Sequence, residues 1–347
     1  MAFDPNAASP IDSGVFGLPH RESDALVVLV PVPFDATTSY GKGAAEGPKA
    51  ILEASKQVDL FDLDTGRPYE VGITMLDESA EVRRWNEAAR AEAEKVIAAA
   101  GVVSGDAALE RALAKVNVIS GHVNHWVHRE VARLLSAGKI AVVVGGDHSS
   151  PFGAIRAYAE RHPGLGVLHF DAHADLRPAY EGFDFSHASI MENVVRRLPI
   201  AKLVQVGIRD LSEEEFAMIA GSNGRIEAHF DVDLKRAKRN GTTWDVLANR
   251  MIENLPNEVY VSFDVDGLDP TLCPHTGTPV PGGFSFDEAI AVLEALVRSG
   301  RTIVGFDLNE VAPGPEGDEW DANVGARLLY KLIGWMLVSR GLSRPPR

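Results

Sequence analysis

Four segments of this chain end a hydrophobic run on groups that ionise or bind metal. VVVGGDHSS closes on Asp147 and His148, and VLHFDAHADL on Asp171, His173 and Asp175. VYVSFDVDGLDP closes on Asp264, Asp266 and Asp269, and TIVGFDLNEVAP on Asp307 and Glu310. Asp171, His173 and Asp175 are two apart, so in extended chain they project to one side, and Asp264 and Asp266 do the same from another run. If these runs are neighbouring strands, four aspartates and two imidazoles converge at one sheet edge. Four aspartates together cannot all stay ionised without compensating charge: their proton affinities rise or the fold suffers. Two divalent cations remove the conflict. Carboxylate and imidazole ligands suit Mn²⁺, Fe²⁺, Ni²⁺ or Zn²⁺, and the oxygen-rich set leans toward Mn²⁺. Two carboxylate-bridged metals make hydroxide from water and orient it toward an electrophilic carbon, so the expected chemistry is hydrolysis. Any one aspartate here is as well explained as a helix cap or loop organiser. D-A-H-A-D, D-V-D and G-G-D-H together, each behind a buried run, are not.

Such residues need elements to position them. Residues 25–33 (ALVVLVPVP) form a continuous β-branched run of buried-strand type, and 140–144, 166–170, 203–207, 227–230, 259–263 and 302–306 read likewise. Helical patterns cover 48–58, 83–100, 120–136, 151–161, 187–197, 213–219, 243–254, 286–299 and 324–342, with Ser120 as a candidate N-cap. Strand–loop–helix alternation predicts one parallel sheet with helices on both faces, and ligands then bind beyond the carboxyl ends of the strands. Residues 1–24, rich in Pro, Ser and Gly, read as an N-terminal arm, and 25–347 as a single catalytic domain.

Composition narrows the function. Of 347 residues, 45% are hydrophobic and 24% charged, which excludes disorder, collagen and coiled coil. The net charge of −15 repels nucleic acid and anionic membranes, so neither is an expected partner. Apolar runs are strand-length, the first residues show no secretory pattern, and the lone Cys273 fits a reducing compartment; a cytoplasmic protein is expected.

GGDHS, DAHADL, SFDVDGLDP and TGTPVPGG together resemble the ureohydrolases: arginases, agmatinases, guanidino-acid hydrolases and formimidoylglutamases. The resemblance spans about residues 25–341. It implies a three-layer α/β/α fold with a central eight-stranded, mostly parallel sheet, and a homotrimer or homohexamer. By position it makes His148, Asp171, Asp175 and Asp264 ligands of one metal. It makes Asp171, His173, Asp264 and Asp266 ligands of the other, with Mn²⁺ preferred and Ni²⁺ accepted. His187 (FDFSHAS) matches a histidine that shuttles a proton to the leaving amine. Glu310 matches a carboxylate that holds the planar guanidinium, a good match for a fork of N–H donors. The implied reaction cleaves the amidino C–N bond of a guanidino compound to urea and an amine, agmatinase-type first.

The substrate is harder to read. Arg177 stands where arginases keep an Asn that reads the α-carboxylate, and Ser212 where they keep an Asp for the α-amino group; both argue against arginine. His275, where the family usually has Gly, would reshape the pocket rim and favour a small guanidino compound or guanidine itself. Arg177 would instead welcome an anionic tail, as in a guanidino acid or formimidoylglutamate. Thr37, Thr38 and Tyr40, in a segment resembling the family's entrance loop, are candidate substrate contacts against plain turn structure. A non-catalytic scaffold subunit is the remote alternative. His122, His125 and His128 share a helical face but lack accompanying carboxylates, so a surface or interface face is expected. His169 reads as a buried core histidine, Asp147 as an organiser of the loop around His148, and Asp269 as fixing the turn before Pro270.

Overall fold

The computed structural model describes residues 3–10, 12–315 and 317–346. Eight strands form one sheet: β1 (Val27–Val32), β2 (Ile73–Met75), β3 (Ile140–Gly145), β4 (Gly166–Phe170), β5 (Lys202–Ile208), β6 (Ile226–Phe230), β7 (Glu258–Asp264) and β8 (Thr302–Asn309). Their order is β2-β1-β3-β8-β7-β4-β5-β6, and every pair is parallel. The β-branched runs are buried on both faces because helices cover both. Alternation divides them: Val27 and Leu29 of β1 join one core with Val142 and Val144 of β3, while Val28, Val30 and Val32 join the other with Ala141 and Val143. The helix Trp320–Ser339 packs on the first face; Ala80–Ala98, Ala107–Ser136 and Phe152–Arg161 cover the second. The result is the expected three-layer architecture.

Strand order explains the site. From β3 the chain skips two places to β4 and runs outward through β5 and β6. It then returns to fill the gap with β7 and β8, so the four segments carrying the chemistry become contiguous: β3, β8, β7, β4. The crossovers leaving the adjacent strands β7 and β4 run in opposite directions, toward β8 and toward β5, and open a crevice at their carboxyl ends.

The structure departs from the pattern in a few places. The eighth strand, β2, is three residues long and pairs only with Val27–Leu29, too short for periodicity to reveal. This leaves Pro31 in the half of β1 where only β3 is a partner, so its missing N–H breaks no ladder. Ser120 is not a cap: the helix begins at Ala107, capped by Asp106, whose carboxylate accepts from Ala108 N–H and Leu109 N–H. Asp231–Arg239 adds a helix the sequence pattern missed. The arm is anchored rather than loose, since Phe16 is buried edge-on to Tyr330 and its N–H donates to Ser55 Oγ at 2.8 Å.

Candidate active site and metal centre

The turn after β3 places His148. Gly146 N–H donates to Val32 O and Asp147 N–H to Phe34 O, each at 2.8 Å, stitching the turn to the end of β1. A Cβ at Gly146 would be driven into the Phe34 backbone, so only glycine lets the two turns close. Asp147 organises the loop: Oδ1 accepts from Ser149 N–H at 3.0 Å and from its hydroxyl at 2.5 Å, and Oδ2 from Thr37 at 3.3 Å.

The fully buried His148 ring faces three carboxylates with one nitrogen. Its Nδ1 lies 3.0 Å from Asp171 Oδ2, 3.2 Å from Asp264 Oδ2 and 3.4 Å from Asp175 Oδ2. Its Nε2 is 2.9 Å from Ser262 Oγ, and that hydroxyl donates to Asp307 Oδ1 at 2.9 Å. Ser262 therefore accepts from Nε2–H, and Nδ1 is the nitrogen aimed into a nest of anions. That arrangement needs positive charge at its centre: a second proton on Nδ1 supplies it, or a divalent metal that replaces that proton and finds imidazole and carboxylate ligands.

Asp171 faces both ways. Its Oδ1 is 3.4 Å from His173 Nδ1, and that nitrogen is 2.9 Å from Asp266 Oδ2. Two ligand-sized groups result, His148–His169–Asp171–Asp175 and Asp171–His173–Asp266, sharing Asp171. Asp264 meets the first group at His148, and its Oδ1 accepts from Asp266 N–H at 2.8 Å. All six residues expected to ligate metal are thus brought together. Asp175 holds a left-handed backbone (φ 52°), as does Glu310 (φ 64°). Conformations costing about 1–2 kcal/mol each in non-glycine residues are retained here at two positions of the site.

The electrostatics are those of anions short of a counter-charge. Burial and the Asp171 charge push Asp175 up to about 7. Burial, then Asp266 and Asp171, hold Asp264 well above the carboxylate range. Glu310 is raised by burial and by Asp264 and Asp147. The His148 proton is held firmly in spite of burial, by the carboxylates around it.

Glu310 Oε1 accepts from His148 N–H at 2.9 Å, while Oε2 is buried and has no partner among the described residues. Gly277 lies against that free oxygen; a Cβ there would stand 3.3 Å from it. His187 follows β4 in a short turn, its N–H donating to Thr37 Oγ1 at 3.3 Å, and burial and the nearby His173 press it down to about 4. Arg177 Nε is 3.5 Å from Glu215 Oε2, and its guanidinium lies 5.2 Å from the Tyr180 ring centroid. The Thr38 hydroxyl donates to Asp35 O and accepts from Arg90 Nη1 at 2.7 Å, and Tyr40 is exposed. Ser212 caps the helix Glu213–Gly221. His122, His125 and His128 do not converge: His122 packs near Trp85, His128 pairs with Glu160 at 2.9 Å, and His125 lines a separate cleft of about 410 Å³.

Among polar residues inside the strands, sequence reasoning missed Ser262 and Gln205; it named Asp307 and placed His169 in the core, without a role for either. Asp307, Ser262, His169 and Gln205 are register neighbours across β8, β7, β4 and β5, and all are fully buried. His169 Nε2 lies 2.9 Å from Asp171 Oδ2, and its Nδ1 is 3.0 Å from Gln205 Nε2. A signal existed: His169 and Ser262 each stand two residues before a ligand candidate, hence on the same side of the strand.

With this geometry in view, comparison with known proteins is direct. A sequence model described as the Arginase family matches residues 25–334. The chain belongs to the arginase family. This arginase-family chain is 34% identical over 326 residues to the N(1)-aminopropylagmatine ureohydrolase of Thermus thermophilus, covering 92% of itself and 94% of that protein. It is 31% identical over 311 residues to the agmatinase of Pyrococcus horikoshii, covering 90% and 92%. Its fold matches the proclavaminate amidino hydrolase of Streptomyces clavuligerus with a TM-score of 0.72 at 24% identity, over 96% and 100% of the two chains.

Proposed function

We propose that this arginase-family protein is a binuclear-metal hydrolase that cleaves the amidino C–N bond of guanidino compounds, agmatinase-type, releasing urea and an amine. The observation that carries the reading is the free, buried Oε2 of Glu310 beside the carboxylate–imidazole cluster. It is an unpaired acceptor set where a planar cation can meet it. His148, Asp171, Asp175 and Asp264 would hold one metal, and Asp171, His173, Asp264 and Asp266 the other, with Mn²⁺ the best match and Ni²⁺ acceptable to the same ligands. When bound, two divalent cations supply Lewis acidity that makes a water nucleophilic at neutral pH.

The chain's own groups do the rest. Glu310, fixed through Oε1 by the His148 N–H, takes guanidinium N–H donors and orients the amidino carbon. His187 is neutral near pH 7, so it accepts a proton released by the attacking water and returns it to the leaving nitrogen. A net charge of −15 steers cationic substrates inward. Arg177 is occupied by Glu215 and Tyr180, which favours an amine-bearing arm over an acidic one. The names of the Thermus and Pyrococcus relatives point the same way. A second reading, hydrolysis of free guanidine, is favoured by the bulk of His275 at the rim. A homotrimer or homohexamer in the cytoplasm completes the proposal; the assembly is measured by light scattering.

The test is urea release by Mn²⁺- and Ni²⁺-loaded protein on agmatine, N(1)-aminopropylagmatine, guanidine, 4-guanidinobutyrate and arginine, with formamide assayed on formimidoylglutamate. Agmatine or its aminopropyl derivative should give the strongest signal. Urea from guanidine alone selects the second reading. Formamide alone, or silence throughout with both metals bound, defeats the proposal.

A further inference from the structure

The His275 ring is gripped along one edge by a carboxylate with no other hydrogen-bond partner among the described residues. Asp321, fully buried in the first turn of the helix Trp320–Ser339, accepts from His275 N–H through Oδ1 at 2.9 Å and from ring Nδ1 through Oδ2 at 2.8 Å. A carboxylate accepts from the ring, so Nδ1 carries a proton, and the tautomer so selected presents its lone pair on Nε2 at the opposite edge. The His275 side chain is 32% exposed, and Nε2 has no hydrogen-bond partner among the described residues. Gly314 packs on the ring, where a Cβ would stand 2.8 Å from Cε1, so the ring has little room to swing.

Its place is the rim of the candidate site. Three residues on, the Thr278 hydroxyl lies 3.4 Å from Asp266 Oδ2; two residues on, Gly277 lies against the free Glu310 oxygen. Gly314 follows Glu310 by four residues on the other side. His275 therefore sits between the segment that carries the guanidinium-binding carboxylate and the segment that covers Asp266.

We propose that His275, oriented by Asp321, determines substrate specificity: its Nε2 accepts an N–H from the arm of the guanidino substrate and selects amine-bearing over carboxylate-bearing arms. This rests on the reading that the site hydrolyses guanidino compounds. Bulk alone would make His275 a filter for size. The fixed tautomer makes it a filter for hydrogen-bond polarity, because a protonated amine donates to the lone pair and a carboxylate meets it lone pair to lone pair.

Asp321→Asn isolates that property. The amide oxygen still accepts from His275 N–H, but its NH₂ now donates to Nδ1, which moves the ring proton to Nε2 and turns acceptor into donor at constant shape. Mn²⁺-loaded wild type, D321N and H275L are compared on agmatine and 4-guanidinobutyrate at several pH values between about 7 and about 9. Bound metal and melting temperature are measured alongside. In D321N the ratio of kcat/KM for agmatine over 4-guanidinobutyrate should fall about tenfold, roughly one hydrogen bond's worth, mainly through KM and with metal content retained. H275L, which has no tautomer to misplace, should move the ratio in the same direction. An unchanged ratio in both variants, with urea released by wild type, overturns this inference alone. Equal losses on both substrates, tracking a fall in melting temperature, make Asp321 structural and overturn it too. No urea or other turnover from either substrate in wild type removes the functional reading, and this inference with it.

Discussion

His187 stays neutral beside a cluster of carboxylates because it is buried and feels the His173 imidazole more than the anions behind it. In that state it is free to accept a proton at neutral pH and gives it up readily. Replacing it tests the role without touching a candidate ligand. His187→Ala should lower kcat about 100-fold, at the low end for a lost acid–base group, while bound metal, counted by mass spectrometry, stays at the wild-type level. Loss of the metals in that variant would show that His187 supports the centre itself. Glu310 illustrates the opposite design, a carboxylate held in left-handed backbone with one oxygen satisfied and one kept free.

At the scale of elements, the centre is a property of four adjacent strands. The buried row of Asp307, Ser262, His169 and Gln205 runs under the ligand candidates, and Ser262 fixes which nitrogen of His148 faces them. Removing its hydroxyl leaves the His148 Nε2–H and one Asp307 oxygen without that partner. Ser262→Ala is therefore expected to weaken metal affinity about 10- to 100-fold, as lost outer-shell contacts do, and chelator competition measures it. Unchanged affinity would mean that the surrounding carboxylates orient the ring unaided. Gly146 is a second element-scale feature. Gly146→Ala forces the β3 turn away from the end of β1 and should destabilise the fold by about 1–3 kcal/mol, the usual cost of overpacking, read from denaturant midpoints.

For the whole molecule, the buried anions set the pH dependence of stability. Asp175, Asp264 and Glu310, raised chiefly by burial, and His148, raised by its carboxylates, all hold protons in the folded state that the unfolded chain gives up at lower pH. Where the native state binds more protons, stability falls as pH rises. His169 and His187, pressed down by burial, act in the opposite sense below their unfolded value but are outnumbered. Chelator-stripped protein should thus lose melting temperature from about pH 5 to about pH 8, the window between the unfolded carboxylate values and the raised folded ones. Metal-loaded protein should show a flatter profile, because its ligands are already deprotonated. A stripped protein that gains stability over that range would contradict the charge balance derived for the site.

Much of this was legible before any coordinates. Asp171, His173 and Asp175, or Asp264 and Asp266, carry their meaning in spacing, because a strand's two-residue period puts them on one side wherever the strand lies. The β-branched runs announced a buried parallel sheet for the same local reason. Long-range pairing is another matter. The order β3-β8-β7-β4, which makes neighbours of β3 and β8 across more than 150 residues of chain, depends on how crossovers pack and leaves no trace in periodicity. The three-residue β2 exists only because β1 offers it an edge. The start of the helix at Ala107 was obscured because Asp106 and Ser120 are both plausible caps, and packing against neighbouring helices chose the longer helix. Asp321 could not be assigned at all. Nothing in its own surroundings in the chain marks it, and it acquires a role only where folding closes the 46-residue gap to His275. Residue types and local spacing determined the chemistry this chain can support. Tertiary structure decided which imidazole nitrogen faces the carboxylates, which carboxylate oxygen stays free and which histidine guards the rim, since each depends on partners that only three-dimensional packing supplies.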